Sequence, residues 1–469
     1  MATPNCWRCL TRPSQRLLTA PTPSSPTTKT TAVAAAFSTS AHQYASPKPR
    51  SNEPNMNKHI RAGKKLVLGK KKRTPDGKPV APGERKAFRK RIQLSNDNAL
   101  EVPGHDDLTV ECLVNPDSIG KMFKMPNGVI DKLRTWEAFK PTQNWGFFRA
   151  PHMLVRNETV DLMKQMTDAV EKKETLRLVV TGDRGSGKSS LSLQALATGF
   201  IKNWIVIHVP EGQELTNGST EYSSVPRSNF FSQPMATIKL MQSIHQTSGH
   251  ILSQQKVIQD HMHLPIANPR GSTLAALLTA TKDPDSAWAV FQAFWKELLL
   301  PGRPPILFSL DGLAHIMQNS VYRSPAFEII HAHELGLVSL FADALGGKIA
   351  FPNGAAILGI TSKGNAPIIA TMNKALEQAS AAQKGEEIPA RDPFYRKYDE
   401  RVFESLKGVR ILDINGVSKT EARSLMEYWA SSGVYRSRVD EKNVAEKWTM
   451  AGGGILAEME RVALYPIRA

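Results

Sequence analysis

The chain has 469 residues and a formal net charge of +17, a length that allows roughly three domains and a large core. Residues 1–91 hold 20 Lys/Arg against 3 Asp/Glu, while the remaining residues hold 40 of each; the body is neutral, and a uniformly basic protein is excluded. Three cysteines exclude a disulfide framework, and no apolar run is long enough to span a membrane, so a soluble protein is expected.

Residues 1–50 are rich in Ser, Thr, Ala and Pro and contain no acid, with Arg8, Arg12 and Arg16 spaced four apart. That is the composition of a mitochondrial transit peptide, which predicts a mitochondrial matrix protein. Cys6 and Cys9 form a C-x-x-C inside this segment without a second pair, and Cys112 stands alone, so a zinc site is not expected. Residues 51–105 read as a basic disordered arm. The stretch 58–91 carries 14 Lys/Arg against Asp76 and Glu84, which suits sequence-indifferent contact with RNA phosphates. Residues 106–150 read as an N-terminal extension. Its aromatics Trp136, Phe139, Trp145, Phe147 and Phe148 fit a core or interface better than a base-stacking platform.

Residues 151–365 read as a nucleotide-binding domain. A helix is expected over 156–172, followed by a buried strand at 176–181. Gly182-Asp183-Arg184-Gly185-Ser186-Gly187-Lys188-Ser189 then reads G-x-x-x-x-G-K-S, a complete phosphate-binding loop, and Ser190 continues into a helix. Strand, loop and helix in this order are the context a P-loop requires. The glycines let backbone N–H groups converge on a polyphosphate, and the helix N-terminus adds partial positive charge. Lys188 is expected to reach the β- and γ-phosphates, and the Ser189 hydroxyl to ligate Mg²⁺. Further strands are expected at 204–209, at 305–310 ending on Asp311, and at 355–361. Residues 210–234 read as a long surface loop, and helices are expected at 285–300 and 327–345. In the first of these, Trp288, Phe291, Trp295 and Leu298 recur at core-packing spacing.

Residues 366–469 read as a strand at 409–414 and a mostly helical tail. Ser418 and Glu421 form a capping-box pattern, and Gly452-Gly453-Gly454 precedes a last helix at 455–464. Short apolar strands separated by helices predict an α/β fold, a parallel sheet covered on both faces.

Asp311, at a strand end, is in place for a Walker-B carboxylate that holds Mg²⁺ with Ser189. The next residue is Gly312, where a hydrolytic machine usually carries an acid. Without a positioned base a rate factor of roughly 10²–10⁴ is missing, so hydrolysis is expected to be slow or absent. Glu328 and Glu334 lie downstream on the expected helix. Thr361-Ser362 reads equally as a γ-phosphate sensor or a strand-end cap. Asn373-Lys374 does not extend to a guanine-reading motif, so spacing leaves guanine and adenine open. The pairs His261/His263 and His331/His333 lack metal-ligand spacing.

These features together resemble the P-loop protein of the mitochondrial small ribosomal subunit, the death-associated protein 3 family. The resemblance runs through Pro141-Thr142-Gln143-Asn144-Trp145, Met153-Leu154-Val155-Arg156, the loop Gly182–Ser190, the 306–312 strand with Asp311-Gly312, Asp392-Pro393-Phe394 and the final triple glycine. It implies a P-loop NTPase fold, an AAA+-like sheet flanked by helices, with a helical C-terminal region and a basic N-terminal extension. It also implies a structural ribosomal protein that binds GTP or GDP with Mg²⁺, ATP remaining open, through Gly182, Asp183, Arg184, Gly185, Ser186, Gly187, Lys188, Ser189 and Ser190, with Ser189 and Asp311 on the metal. Small-subunit rRNA, neighbouring ribosomal proteins and large-subunit bridge proteins are the implied partners. The separation of Lys188 from Asp311 implies a large insertion between the second and third strands. The competing expectation is an active mitochondrial AAA+ or STAND-type NTPase, for which Arg396 and Arg401 are the arginine-finger candidates. A kinase would need a substrate lid and a catalytic carboxylate that the sequence does not offer.

Overall fold

The computed structural model describes residues 92–226, 228–262, 264, 271–364 and 366–465. The expectations for the transit peptide and for the basic stretch up to Arg91 fall outside these residues.

Five aliphatic runs become strands β1 (Thr175–Gly182), β2 (Ile205–Val209), β3 (Ile306–Asp311), β4 (Ala355–Ile360) and β5 (Arg410–Ile414). They pair in parallel in the order β5-β1-β4-β3-β2. β3 and β4 are buried at every position, as unbroken apolar strands in a doubly covered parallel sheet should be. The edge strand β5 leaves Arg410 and Asp413 exposed, charges that blunt an open edge. In register, Ile360 of β4 lies opposite both Val180 and Asp311. β1 and β3 therefore end together at the carboxyl edge of the sheet, where ligands of open α/β sheets bind.

The principal helices are α1 (Asn127–Thr135), α2 (Asn157–Glu171), α3 (Lys188–Ile201), α4 (Pro234–Leu252), α5 (Pro284–Leu298), α6 (Gly336–Leu345), α7 (Ala370–Lys384), α8 (Lys419–Ser431), α9 (Glu441–Met450) and α10 (Leu456–Leu464). α3, which follows the Gly182–Gly187 loop, is buried almost throughout. α5 starts where Asp283 caps the amide of Asp285 and Pro284 occupies the first turn, a position that needs no N–H. Its Trp288, Phe291, Trp295 and Leu298 are core residues, and Trp295 meets Phe308 of β3 edge-on at 5.8 Å.

The extension packs into the same core. Leu113, Phe123, Met125, Leu133, Trp136 and Phe139 are buried with the sheet residues, and the indole of Trp136 donates to Thr247 Oγ1 of α4 at 3.2 Å. The aromatic cluster is core and interface here. The expected insertion between β2 and β3 holds α4, α5 and the short helix Leu274–Thr279. Its segments are held together at Glu297, which is 0% exposed. Its carboxylate accepts from the amides of Ile258 (3.2 Å) and Gln259 (2.6 Å) and from Arg303 Nη2 (2.6 Å). His261 lies 3.2 Å from the same group; His263 is outside the described residues.

Two expectations are corrected. Residues 210–234 are not an open loop: they contain the helix Gly212–Thr216 and a small hairpin of Ser223–Ser224 with Phe231–Ser232. The segment does lie at the surface, as expected, with most of residues 217–230 exposed, but it is structured. The Ser223 and Ser232 hydroxyls bond at 2.8 Å, and buried Gln233 donates to the Leu215 carbonyl at 2.7 Å. The helix expected at 327–345 begins only at Gly336. Upstream, Asn319–Arg323 and Ile329–His331 form an antiparallel hairpin. Phe327 has φ of 60°, which breaks helical continuity, and β-branched Ile329 and Ile330 suit a pleated strand. Glu328 therefore lies in a hairpin turn and Glu334 in a 3₁₀ turn. Burial pushes the pKa values of His331 and His333 down to about 4 and about 3, and the two rings meet edge-on.

The C-terminal region forms a second cluster around Met426, Tyr428, Trp429, Val444 and Met459, against Met122 and Phe148. α8 opens with the expected capping box: the Glu421 amide donates to Ser418 Oγ at 3.2 Å, and the Ser418 amide to Glu421 Oε2 at 2.7 Å. Such a cap contributes about 1 kcal/mol. The triple glycine then turns the chain against the exit of β5. The Val417 amide donates to the Gly454 carbonyl at 2.7 Å, and the Trp448 indole to the Val417 carbonyl at 2.7 Å. A Cβ on Gly454 would lie 2.2 Å from that Val417 oxygen, so no larger residue fits the approach. α10 leaves this turn aimed at the Gly182–Ser189 loop.

Candidate nucleotide site

The loop from Gly182 to Lys188 links the C-terminal end of β1 to the first turn of α3. Those first amides have no intrahelical partner. Two of the loop's carbonyls are taken by donors from elsewhere in the chain. Ala457 N–H, at the start of α10, donates to Gly185 O at 3.0 Å. Arg156 Nη1, just before α2, donates to Ser186 O at 2.9 Å, while its Nη2 holds Asn415 O after β5 at 2.8 Å. A trans peptide directs C=O and N–H to opposite sides, so the Gly187 amide points away from Arg156, while the Ser186 amide donates to the Asp183 carbonyl at 3.3 Å. Gly185, at φ +80°, leaves 2.7 Å between an added Cβ and that of Ala457.

Lys188 is buried and donates from Nζ to the carbonyls of Gly182 (2.9 Å) and Asp183 (2.5 Å). Burial, and then the charge of Lys363, pull its pKa below the ordinary lysine value. Lys363 itself pairs with Asp183 at 3.0 Å and holds that carboxyl below its usual range. Ser189 Oγ donates to Asp311 Oδ2 at 3.2 Å. The two expected metal-binding residues are thus brought together, although 122 positions separate them in sequence. The Ser186 hydroxyl is buried and has no hydrogen-bond partner within the protein. An unsatisfied donor in the loop, orphaned helix amides, two lysine ammoniums and a paired hydroxyl and carboxylate form a donor set that fits a polyphosphate with a hard divalent cation. Arg184 and Ser190 lie in the loop and the first turn of α3; neither has a contact that defines a role.

The other expected residues separate clearly. Thr361 Oγ1 donates to the Val180 carbonyl at 3.0 Å and is a strand-end cap. Arg401 is engaged by Asp399 (2.9 Å) and Glu334 (3.0 Å), and Arg396 is exposed.

The model of the family described as mitochondrial ribosomal death-associated protein 3 matches residues 153–462. The chain belongs to that family. It is 47% identical to the small ribosomal subunit protein mS29 of Neurospora crassa, with the whole of both chains covered. It is 23% identical to the protein of the same name from Schizosaccharomyces pombe, over 76% of this chain and 74% of that one. The mouse protein of that name is 20% identical over 40% of this chain and 49% of its own length. The matched span takes in the Gly182–Ser189 loop and Asp311.

Several residues at this site carry no motif signal of their own. Lys140, in the extension, forms an ion pair with Asp311. Asp413 of β5 accepts from Thr181 Oγ1 at 3.1 Å beside the loop. Glu211 follows β2, whose Val209 is paired with Leu310, and so reaches the same sheet edge as Asp311. Arg156 and Asn144 lie within stretches that carry the family resemblance, but spacing gave neither a task. Asn144 Nδ2 donates to Glu460 Oε2 of α10 at 2.8 Å, and burial raises the Glu460 pKa against that bond.

Proposed function

We propose that this chain is a structural constituent of the mitochondrial small ribosomal subunit that retains a guanine nucleotide with Mg²⁺ as part of its fold. Family membership over most of the chain supports the ribosomal half of this reading and the mitochondrial location. The observation that carries the nucleotide half is the pairing of Ser189 with Asp311 at the mouth of the Gly182–Ser189 loop. Lys188 would neutralise the phosphates, the first amides of α3 would hold their oxygens, and Ser189 and Asp311 would hold the metal. The metal, when bound, supplies charge neutralisation between the phosphates and Asp311.

α10 lies against the loop at Gly185, and the 140–145 turn reaches Asp311 through Lys140 and α10 through Asn144. This arrangement favours a retained ligand over a rapidly exchanged one. Assembly partners in this reading are small-subunit rRNA, through the basic stretch 58–91, neighbouring small-subunit proteins and bridge proteins of the large subunit. Residues 1–50 serve as the mitochondrial address. Sedimentation of a mitochondrial lysate in high-magnesium buffer tests the reading: the chain is expected to co-migrate with the small subunit, and migration as a free monomer or a ring-sized oligomer would oppose it.

A further inference from the structure

The ion pair between Lys140 and Asp311 joins the extension to the candidate metal position, and its setting is built rather than accidental. Lys140 sits in a turn closed by one side chain: its amide donates to Gln143 Oε1 at 2.9 Å, and the Gln143 amide returns to the Lys140 carbonyl at 3.1 Å. The Trp145 indole donates to the same Gln143 oxygen at 2.9 Å, and its ring meets buried Phe139 edge-on at 5.8 Å. The turn is thereby anchored to the core, and it presents the ammonium to Asp311 Oδ2, the oxygen that also accepts from Ser189. The side chains are 25% and 6% exposed, so the pair is only partly screened by solvent.

An anionic nucleotide brought to this loop meets Asp311 as a like charge. A divalent cation on Ser189 and Asp311 removes that repulsion. Lys140 already does so from within the chain, because an ammonium is a compact point charge with rotatable donors on a flexible stem. We infer that Lys140 stands in for the divalent cation at Asp311, competing with it for the carboxylate and allowing the site to hold a nucleoside diphosphate without metal. This rests on the nucleotide-binding reading above and assigns one residue outside the P-loop to that site.

The test is the metal dependence of affinity, read as fluorescence of mant-GDP, with mant-ADP as comparison, titrated against the full chain in excess Mg²⁺ and in EDTA. Wild type is expected to lose less than about tenfold in EDTA. Lys140→Gln, which keeps a polar partner for Asp311 but removes the charge, is expected to lose about tenfold or more relative to wild type in EDTA and about threefold or less in excess Mg²⁺. Lys140→Arg should restore binding in EDTA. An equal loss in both media would assign Lys140 a merely structural role and overturn the inference while leaving nucleotide binding intact. Absence of binding to wild type in both media would remove the nucleotide reading and this inference with it. Should Lys140→Gln not fold, Gln143→Leu loosens the turn while leaving the ammonium in place; it is expected to steepen the Mg²⁺ requirement, and an unchanged requirement overturns the inference.

Discussion

The amide of Ala457 donates to the carbonyl of Gly185 across 3.0 Å, so α10 begins against the middle of the Gly182–Ser189 loop. The loop's conformation and the docking of α10 are therefore one structural event. Asn144, which bridges to Glu460 and accepts from the Tyr465 hydroxyl at 3.1 Å, extends the same contact to the extension.

Gly185→Ala should loosen this contact. The new Cβ would sit 2.7 Å from that of Ala457, on a backbone with φ of +80°. A cost of about 1–3 kcal/mol is expected, with protease cleavage appearing in residues 451–465. Gly104→Ala is the control, since Gly104 has φ of +87° with nothing within 4 Å of an added Cβ. Equal cleavage of the two variants would show that the contact with α10 contributes nothing.

Arg303→Met should destabilise the chain severely. It leaves the Glu297 carboxylate, 0% exposed, without its cation, and breaking one partner of a buried pair costs about 3–5 kcal/mol. Urea unfolding followed by tryptophan fluorescence measures this, and a loss below about 1 kcal/mol, the scale of an exposed pair, would contradict it.

Acid should destabilise the sheet through His208. Burial, and then the charge of Lys140, push its pKa down to about 3, whereas the unfolded chain binds the proton near its ordinary value of about 6.5. A histidine held neutral in the fold contributes stability that is fully present above about pH 6.5 and is lost as pH falls towards 3. Between pH 6.5 and 5 the loss from this residue is about 1.5 kcal/mol. His208→Leu should flatten the fall in urea midpoint over that interval, and an unchanged slope would rule out the assignment.

Hydrolysis should be slow. Gly312 stands where an acid would follow Asp311, so the general-base factor of roughly 10²–10⁴ is not supplied there. Phosphate release is expected well below about one per second, against the 1–10³ s⁻¹ common among enzymes. Turnover at about one per second would overturn this, and loss of it in Glu211→Gln would then locate the base just after the neighbouring strand.

The sheet was legible because each strand is a short aliphatic run, and the strand–loop–helix at 175–201 because its pattern is local: glycines, lysine and serine within eight residues. Asp311 was legible as a polar residue closing such a run. Lys140 was not, since its task arises only where a turn folds back over a strand end 171 positions away. The hairpin at 319–331 was misread for a related reason. The apolar spacing of 327–345 suits a helix, but one positive-φ residue and the pairing of Ile329 with Arg323 decide the segment. The docking of α10 depends on Gly454 meeting the Val417 carbonyl, a relation between two backbones that side-chain patterns do not encode.

The most direct test of the central claim is mass spectrometry of the small molecules released from purified mitochondrial small subunits carrying wild type or Lys188→Ala. The account predicts about one guanine nucleotide per subunit from wild type. It predicts a variant depleted from the subunit, because a ligand bound only to the folded form contributes about 2.7 kcal/mol at a hundredfold excess over Kd. A Lys188→Ala chain that assembles at the wild-type level with no nucleotide released would contradict it.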